Sequence, residues 1–149
     1  YRLIGFENRG VRDSEFRDDD VDAGELGAGH QVTAMYELDL ADDVSLDDRA
    51  ELGVVALRWE DPDSGEVTEI DEDIDLRDVE ADWDDTAEDF QLATVVAVFA
   101  EILRENPHAG MGFDVLDDLL EETERLADEL NDRDVDELVD MIERADDLS

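Results

Sequence analysis

Apolar and polar residues alternate along the first half of the chain and recur at helical spacing along the second. The segment "HQVTAMYELDL", His30–Leu40, places Val32, Ala34, Tyr36 and Leu38 on one face and Thr33, Met35 and Glu37 on the other. Period-two alternation with β-branched and aromatic residues predicts a strand. "YRLIGFE", Tyr1–Glu7, alternates more loosely and suits a short one. "LGVVALRWE", Leu52–Glu60, and "EVTEI", Glu66–Ile70, flank "DPDSG". In that turn Pro62 presets φ and Gly65 accepts a positive one, so the pair reads as an antiparallel hairpin. Between them and Leu40, "ADDVSLDDRAE" is a polar connection.

The acidic run "DEDIDLRDVEADWDD", Asp71–Asp85, carries only isolated Ile74, Leu76, Val79 and Trp83 and reads as a linker that docks a few apolar side chains. "TAEDFQLATVVAVFAEILREN" then predicts a largely buried helix of about 20 residues, about 30 Å long. Asp85 or Thr86 caps it, with Glu88 or Asp89 three residues on in a capping-box arrangement. Phe90, Ala93, Val96, Ala97, Ala100 and Leu103 form one stripe, which Val95, Val98, Phe99 and Ile102 widen. Pro107 and the glycines of "NPHAGMG" end the helix.

Two amphipathic helices follow. Val115, Leu116, Leu119, Leu120, Leu126 and Leu130 make one stripe; Val135, Leu138, Val139, Ile142 and Ala145 make the other. "NDRD" between them is short enough for an antiparallel pair. Such stripes pack on the chain's own core more often than on a partner. The chain therefore reads as one domain over 1–149, β-rich over 1–72 and helical over 85–149. The fold class is α+β: a small, mostly antiparallel sheet of about four strands, packed by a long apolar helix and two acidic C-terminal helices.

Composition adds one dominant fact. Among 149 residues there are 49 acidic and 11 basic ones, a net charge of −38, with every basic residue Arg and none Lys. Hydrophobic residues make up 42%, so a core forms despite the charge. Like charge of this density repels itself in dilute buffer, and roughly molar salt shortens the Debye length to about 3 Å and removes most of that repulsion. The pattern looks like adaptation to concentrated salt. It argues against nucleic acid and anionic membrane surfaces as partners. Cysteine is absent, which excludes disulfide and thiolate chemistry. No segment has the length and apolarity of a membrane-spanning helix, and none reads as a signal peptide. The start at Tyr1 suggests a piece of a longer protein.

Candidate chemistry is sparse. Gly24, Gly27 and Gly29 in "DAGELGAGH" invite a phosphate-loop reading, but the order is G-x-x-G-x-G and a strand follows rather than a helix. Asp18, Asp19, Asp20, Asp22 and Glu25 would repel the anion, so a tight turn or bulge is the better account. Asp18, Asp20 and Asp22 have the one-three-five spacing of an EF-hand loop, yet position six is Ala23 and position twelve is Gly29. Asp71, Asp73 and Asp75 repeat the spacing with no loop signature. Only weak surface association of Ca²⁺ or Mg²⁺ is expected. His30 and His108 have no cysteine or second histidine beside them and form no zinc set. No nucleophile elbow is present, and carboxylates are too abundant to single out a catalytic pair. The expectation is no catalytic, cofactor-binding or metal residue in this chain, and no enzyme activity. A carboxylate-dependent hydrolase stands as the remote alternative.

"YRLIGFENR", "DAGELGAGHQVTAMYEL", "LRWEDPDSG" and "EDFQLATVVAVFAEILRE" occur in an order that resembles the C-terminal region of bacterial and archaeal von Willebrand factor type A proteins of the YfbK type. The resemblance covers most of residues 1–105. It implies an A domain upstream, which would carry the family's D-x-S-x-S metal-dependent adhesion site and its divalent metal; no such motif stands in these residues. By analogy with similar multidomain proteins, strands around Tyr1–Glu7 and His30–Leu40 belong to a sheet presenting the A domain, with an edge open to pairing. The implied role is a non-catalytic accessory module acting through contacts with the upstream A domain and with protein partners. The resemblance leans towards adhesion at the cell envelope and leaves a cytoplasmic location open. An intracellular assembly factor working beside a MoxR-type ATPase is the alternative.

Overall fold

A computed structural model of the chain describes residues 1–5, 10–22, 24–41, 44, 50–80, 82–106 and 116–148. It contains four strands, β1 (Arg2–Leu3), β2 (Tyr36–Glu37), β3 (Glu51–Glu60) and β4 (Val67–Asp75), and three helices, α1 (Glu88–Leu103), α2 (Leu116–Leu130) and α3 (Arg133–Asp146). Both sheets are two-stranded and antiparallel, β1 with β2 and β3 with β4. The fold is α+β. The four expected strands are present, but as two separate ribbons rather than one sheet.

The chain divides into two compact units that interleave in sequence. One comprises Tyr1–Glu7, Leu26–Asp39 and Thr86–Ser149; the other comprises Asn8–Glu25 and Leu40–Asp85. β1 and β2 thus fall in the same unit as the three helices, and β3 and β4 in the other.

In the helical unit the core is made by Val95, Val98 and Phe99 of α1, Leu119, Leu126 and Ala127 of α2, and Val135 and Ile142 of α3. The leucine and valine stripes of α2 and α3 face this core as their periodicity predicts; Val115 lies outside the described residues. Their two-residue link is closed by Asn131, whose φ of 49° is left-handed and whose amide reaches the Ala127 carbonyl at 2.9 Å. Asparagine tolerates that conformation better than most residues. Asp132 then caps α3 by accepting from the Asp134 amide at 2.8 Å.

α1 departs from its sequence reading in two ways. It is 16 residues long, and its N-cap is Ala87, with no side-chain cap bond; neither Asp85 nor Thr86 plays that part. Its buried face is Gln91, Thr94, Val95, Val98, Phe99 and Glu101, whereas Phe90, Val96 and Leu103 of the expected stripe are exposed. The reason is that each buried polar residue has a hydrogen-bond partner, which makes its burial tolerable. Thr94 Oγ1 donates to the Phe90 carbonyl at 2.9 Å, and Gln91 Nε2 donates to the Thr86 carbonyl at 3.2 Å. Gln91 Oε1 in turn accepts from Arg125 at 2.6 Å, joining α1 to α2.

β1 and β2 pair Arg2 with Glu37 and Leu3 with Tyr36, and the Ile4 amide extends the contact to the Met35 carbonyl at 2.9 Å. Of the long strand expected over His30–Leu40, Tyr36–Glu37 forms β2, with the Met35 carbonyl bonded beside it. Its inward side is the Met35 and Glu37 side, while Val32, Tyr36 and Leu38 are exposed.

In the other unit, β3 and β4 form a hairpin with Leu57 opposite Ile70 and Trp59 opposite Thr68, and an irregularity between Glu51 and Gly53. The turn is built as its sequence predicts. Gly65 has φ +69°, its amide reaches the Asp61 carbonyl at 2.8 Å, and Asp61 Oδ1 accepts from the Asp63 and Ser64 amides at 3.0 and 2.8 Å. The hairpin runs further than the sequence suggests. Asp71–Asp75 continues β4 instead of starting a linker, because ladder bonds to β3 outweigh the poor strand propensity of aspartate. Leu76 follows in a 3-10 turn, buried, its amide on the Ala50 carbonyl at 3.0 Å.

Candidate functional site

The glycine-rich segment is a turn. The His30 amide donates to the Gly27 carbonyl at 3.0 Å, and Gly29, third in the four-residue turn, has φ +80°. That is the position where a type II turn requires a residue free to take positive φ. The His30 imidazole lies against Gly27, where an added Cβ would meet Nδ1 at 3.0 Å. Gly24 has open space around it. His108 and Ala23 lie outside the described residues.

The acidic triplets do not converge. Asp18 Oδ1 accepts from the Asp20 amide at 3.1 Å, a local turn bond on an exposed loop. Beside it, Arg17 forks onto Glu69, its Nη2 2.6 Å from Oε1, and Arg58 holds Asp19. These pairs fasten the loop to one face of the hairpin. Asp71, Asp73 and Asp75 lie at alternate positions of β4, so successive Cα atoms are about 6.6 Å apart in an extended strand. Among the described residues no group of three or more His, Cys, Asp or Glu is arranged to hold a metal ion.

A polar cluster that sequence reasoning missed lies in the helical unit. Glu101, 1% exposed, sits on the buried side of α1. Its Oε2 accepts from Arg2 Nη1 at 3.2 Å and from Asn106 Nδ2, while Arg2 Nε donates to Glu37 at 2.9 Å. Arg104 Nη1 stands 3.9 Å from Oε1, an ion-pair distance without a hydrogen bond, and Oε1 has no hydrogen-bond partner among the described residues. The Glu37 hydrogen bond, aided by Glu101, raises the pKa of the Arg2 guanidinium. The available signal was one acid inside the apolar run "VVAVFAEIL". The cluster clamps the β1–β2 ribbon to the end of α1. All its cations are engaged with carboxylates, which makes it a structural joint.

Two apolar surfaces remain. In the helical unit, Ile4, Thr33 and Met35 face Ala93, Val96, Ala97 and Ala100 across an open groove of about 360 Å³. This groove uses the α1 stripe that the core leaves out. In the other unit, the hairpin face opposite the Arg17–Glu69 and Arg58–Asp19 pairs carries Val55, Leu57, Trp59 and Ile70, all exposed. Exposed apolar side chains grouped in this way are surface whose burial against another surface would be favourable.

The model of the family described as "Uncharacterized protein YfbK, C-terminal" matches residues 1–148. The chain is also similar to "Uncharacterized protein YfbK" of Escherichia coli strain K12, 50% identical over 40 residues, which are 27% of this chain and 7% of that protein. The matched part is thus a small fraction of the E. coli protein's length. No solved structure matches. The chain belongs to the family of YfbK C-terminal regions.

Proposed function

We propose that this chain is a non-catalytic accessory region C-terminal to a von Willebrand factor type A domain, working by protein–protein contact. In this reading the upstream A domain holds the divalent metal and binds the ligand, and the present residues support and orient it. The cell envelope of a salt-adapted organism is the proposed setting. The observation that supports this best is the hairpin face of Val55, Leu57, Trp59 and Ile70, four exposed apolar side chains on one face of a chain that carries 49 acidic residues.

The test compares the full-length protein with a form lacking residues 1–149, in molar KCl. Truncation should leave Mg²⁺ binding by the upstream domain unchanged and abolish the protein's stable association with its envelope partner. Retention of that association after truncation, or loss of Mg²⁺ binding with it, would overturn the reading.

A further inference from the structure

The helical core closes without the β1–β2 ribbon. Among the described residues, the core and the half-buried apolar residues packed on it all belong to α1, α2 or α3. Ile4 of the ribbon is also buried, at 7% exposure, but against a different face of α1. There Ile4, Thr33 and Met35 lie across the open groove from Ala93, Val96, Ala97 and Ala100. Three of those four are alanines, too small to fill the groove, so apolar contact under the ribbon is thin. A polar tie adds to it, with Arg2 Nη1 donating to Glu101 Oε2 at 3.2 Å. Glu101 is 1% exposed, and its Oε1 has no hydrogen-bond partner among the described residues. Burying a carboxylate so incompletely satisfied costs free energy that the ion pair offsets only in part. Undocking returns water to both charges, so the tie holds the ribbon while keeping its release within reach.

The chain passes between the two compact units at 7–8, 25–26, 39–40 and 85–86. The first three crossings flank the segments that carry β1 and β2, and the fourth precedes α1. The helices are therefore joined covalently to the residues before them at Asp85–Thr86 alone, and the docked ribbon ties them to that part of the chain a second time. We infer that the β1–β2 ribbon is a latch: it undocks from α1 while the three-helix core stays folded, and the Arg2–Glu101 pair sets the population of the open form. Openings of this kind lie below global unfolding in free energy where buried apolar contact is thin. Undocked, a ribbon of two two-residue strands does not stay paired. The open form bares the Ala93, Ala97 and Ala100 face of α1 and removes the second tie. The latch needs no upstream domain, so it stands or falls separately from the accessory role proposed above.

The test is amide hydrogen exchange on the full-length protein in molar KCl, under conditions where the rate reports the population of the open form. The reporter is the Ile4 amide, which donates to the Met35 carbonyl at 2.9 Å. The reference amides are those of Val98 and Thr123, in buried residues of α1 and α2. Arg2→Ala should speed exchange at Ile4 about tenfold or more, since hydrogen bonds to a charged group are the strong ones. Leu126→Ala weakens the core directly and should speed exchange at Val98 and Thr123 while leaving Ile4 unchanged; Ile142→Val is the milder substitute if that variant does not fold. Acceleration of Ile4 in step with Val98 and Thr123 in the core variant would mean that the ribbon lets go only when the core unfolds, and would overturn the inference. An Ile4 rate that Arg2→Ala does not change would overturn it as well, because the pair would then not hold the latch. So would an unprotected Ile4 amide in the wild type, because the ribbon would then not be docked.

Discussion

Arg2 on β1 and Glu101 on α1, 99 positions apart in sequence, meet with Nη1 3.2 Å from Oε2. The carboxylate is almost wholly buried while the arginine keeps contact with solvent. The two ends of this pair are therefore unequal. Removing Arg2 leaves the buried carboxylate with only the Asn106 amide and the more distant Arg104 beside it, whereas neutralising Glu101 removes the need for the cation. Arg2→Ala should lower the thermal midpoint by several degrees more than Glu101→Gln, measured by circular dichroism in molar KCl. Equal shifts would mean that the pair acts only as one of many surface contacts.

Gly29 should resist substitution for backbone reasons alone. At φ +80° with nothing within 4 Å of a built Cβ, the obstacle is conformation and not space. Gly29→Val is expected to cost about 1 kcal/mol or more, since a β-branched residue is disfavoured there. Gly24→Val, in open space and at ordinary φ, should cost less. Denaturant titrations of the two variants decide the point, and the reverse order would remove the turn reading.

How much of the structure is legible in the sequence differs by element. The stripes of α2 and α3 were legible because one face is almost solid acid, leaving Leu119, Leu126, Val135 and Ile142 a single direction to point. The hairpin turn was legible from Pro62 and Gly65. α1 was less so: apolar on nearly every side, its periodicity could not choose a face, and the choice fell to Gln91, Thr94 and Glu101, whose partners lie elsewhere. The extension of β4 through Asp71–Asp75 was hidden because strand propensity is local and the stabilising ladder is not. The Arg2–Glu101 joint was hidden for the same reason. Among sites, the glycine segment was read correctly as a turn. The exposed hairpin face was invisible, since Val55, Leu57 and Trp59 in sequence look like any core strand.

The burial of Leu126 gives a plain stability scale. It is fully buried against the helical core, so Leu126→Ala should cost about 2–5 kcal/mol. Leu57→Ala, on the open hairpin face, should cost far less in residues 1–149 alone. Denaturant midpoints of both variants check the contrast.

Asp61 ties the hairpin turn to pH. Its pKa is lowered, chiefly by the hydrogen bond from the Ser64 amide, with the Ser64 hydroxyl and Asp63 amide adding to it. The Arg17 hydrogen bond lowers Glu69 in the same unit. A carboxylate with a depressed folded-state pKa contributes stability above its ordinary pKa of about 4, and loses it as pH falls through the lowered value. Amide exchange at Ser64 and Gly65 should be slower in the wild type than in Asp61→Ala at neutral pH. The difference should shrink towards zero in strong acid, and a difference that persists there would remove the charge-based account.

Salt should control the fold as a whole. The chain holds 38 more negative than positive charges, and several of its arginines are already committed to ion pairs such as Arg17–Glu69 and Arg125–Glu122. The remaining carboxylates repel one another over the Debye length, about 3 Å in molar salt but about 30 Å at 0.01 M. At the longer distance, repulsion spans helices that only a small core holds together. Dilution from molar KCl to tens of millimolar should therefore unfold the domain, seen as loss of helical circular dichroism. Acidifying the dilute sample to about pH 4 should recover part of the signal, because protonation removes the same charge that salt screens. An unchanged spectrum on dilution would mean that the acidic coat serves a partner and not the solvent.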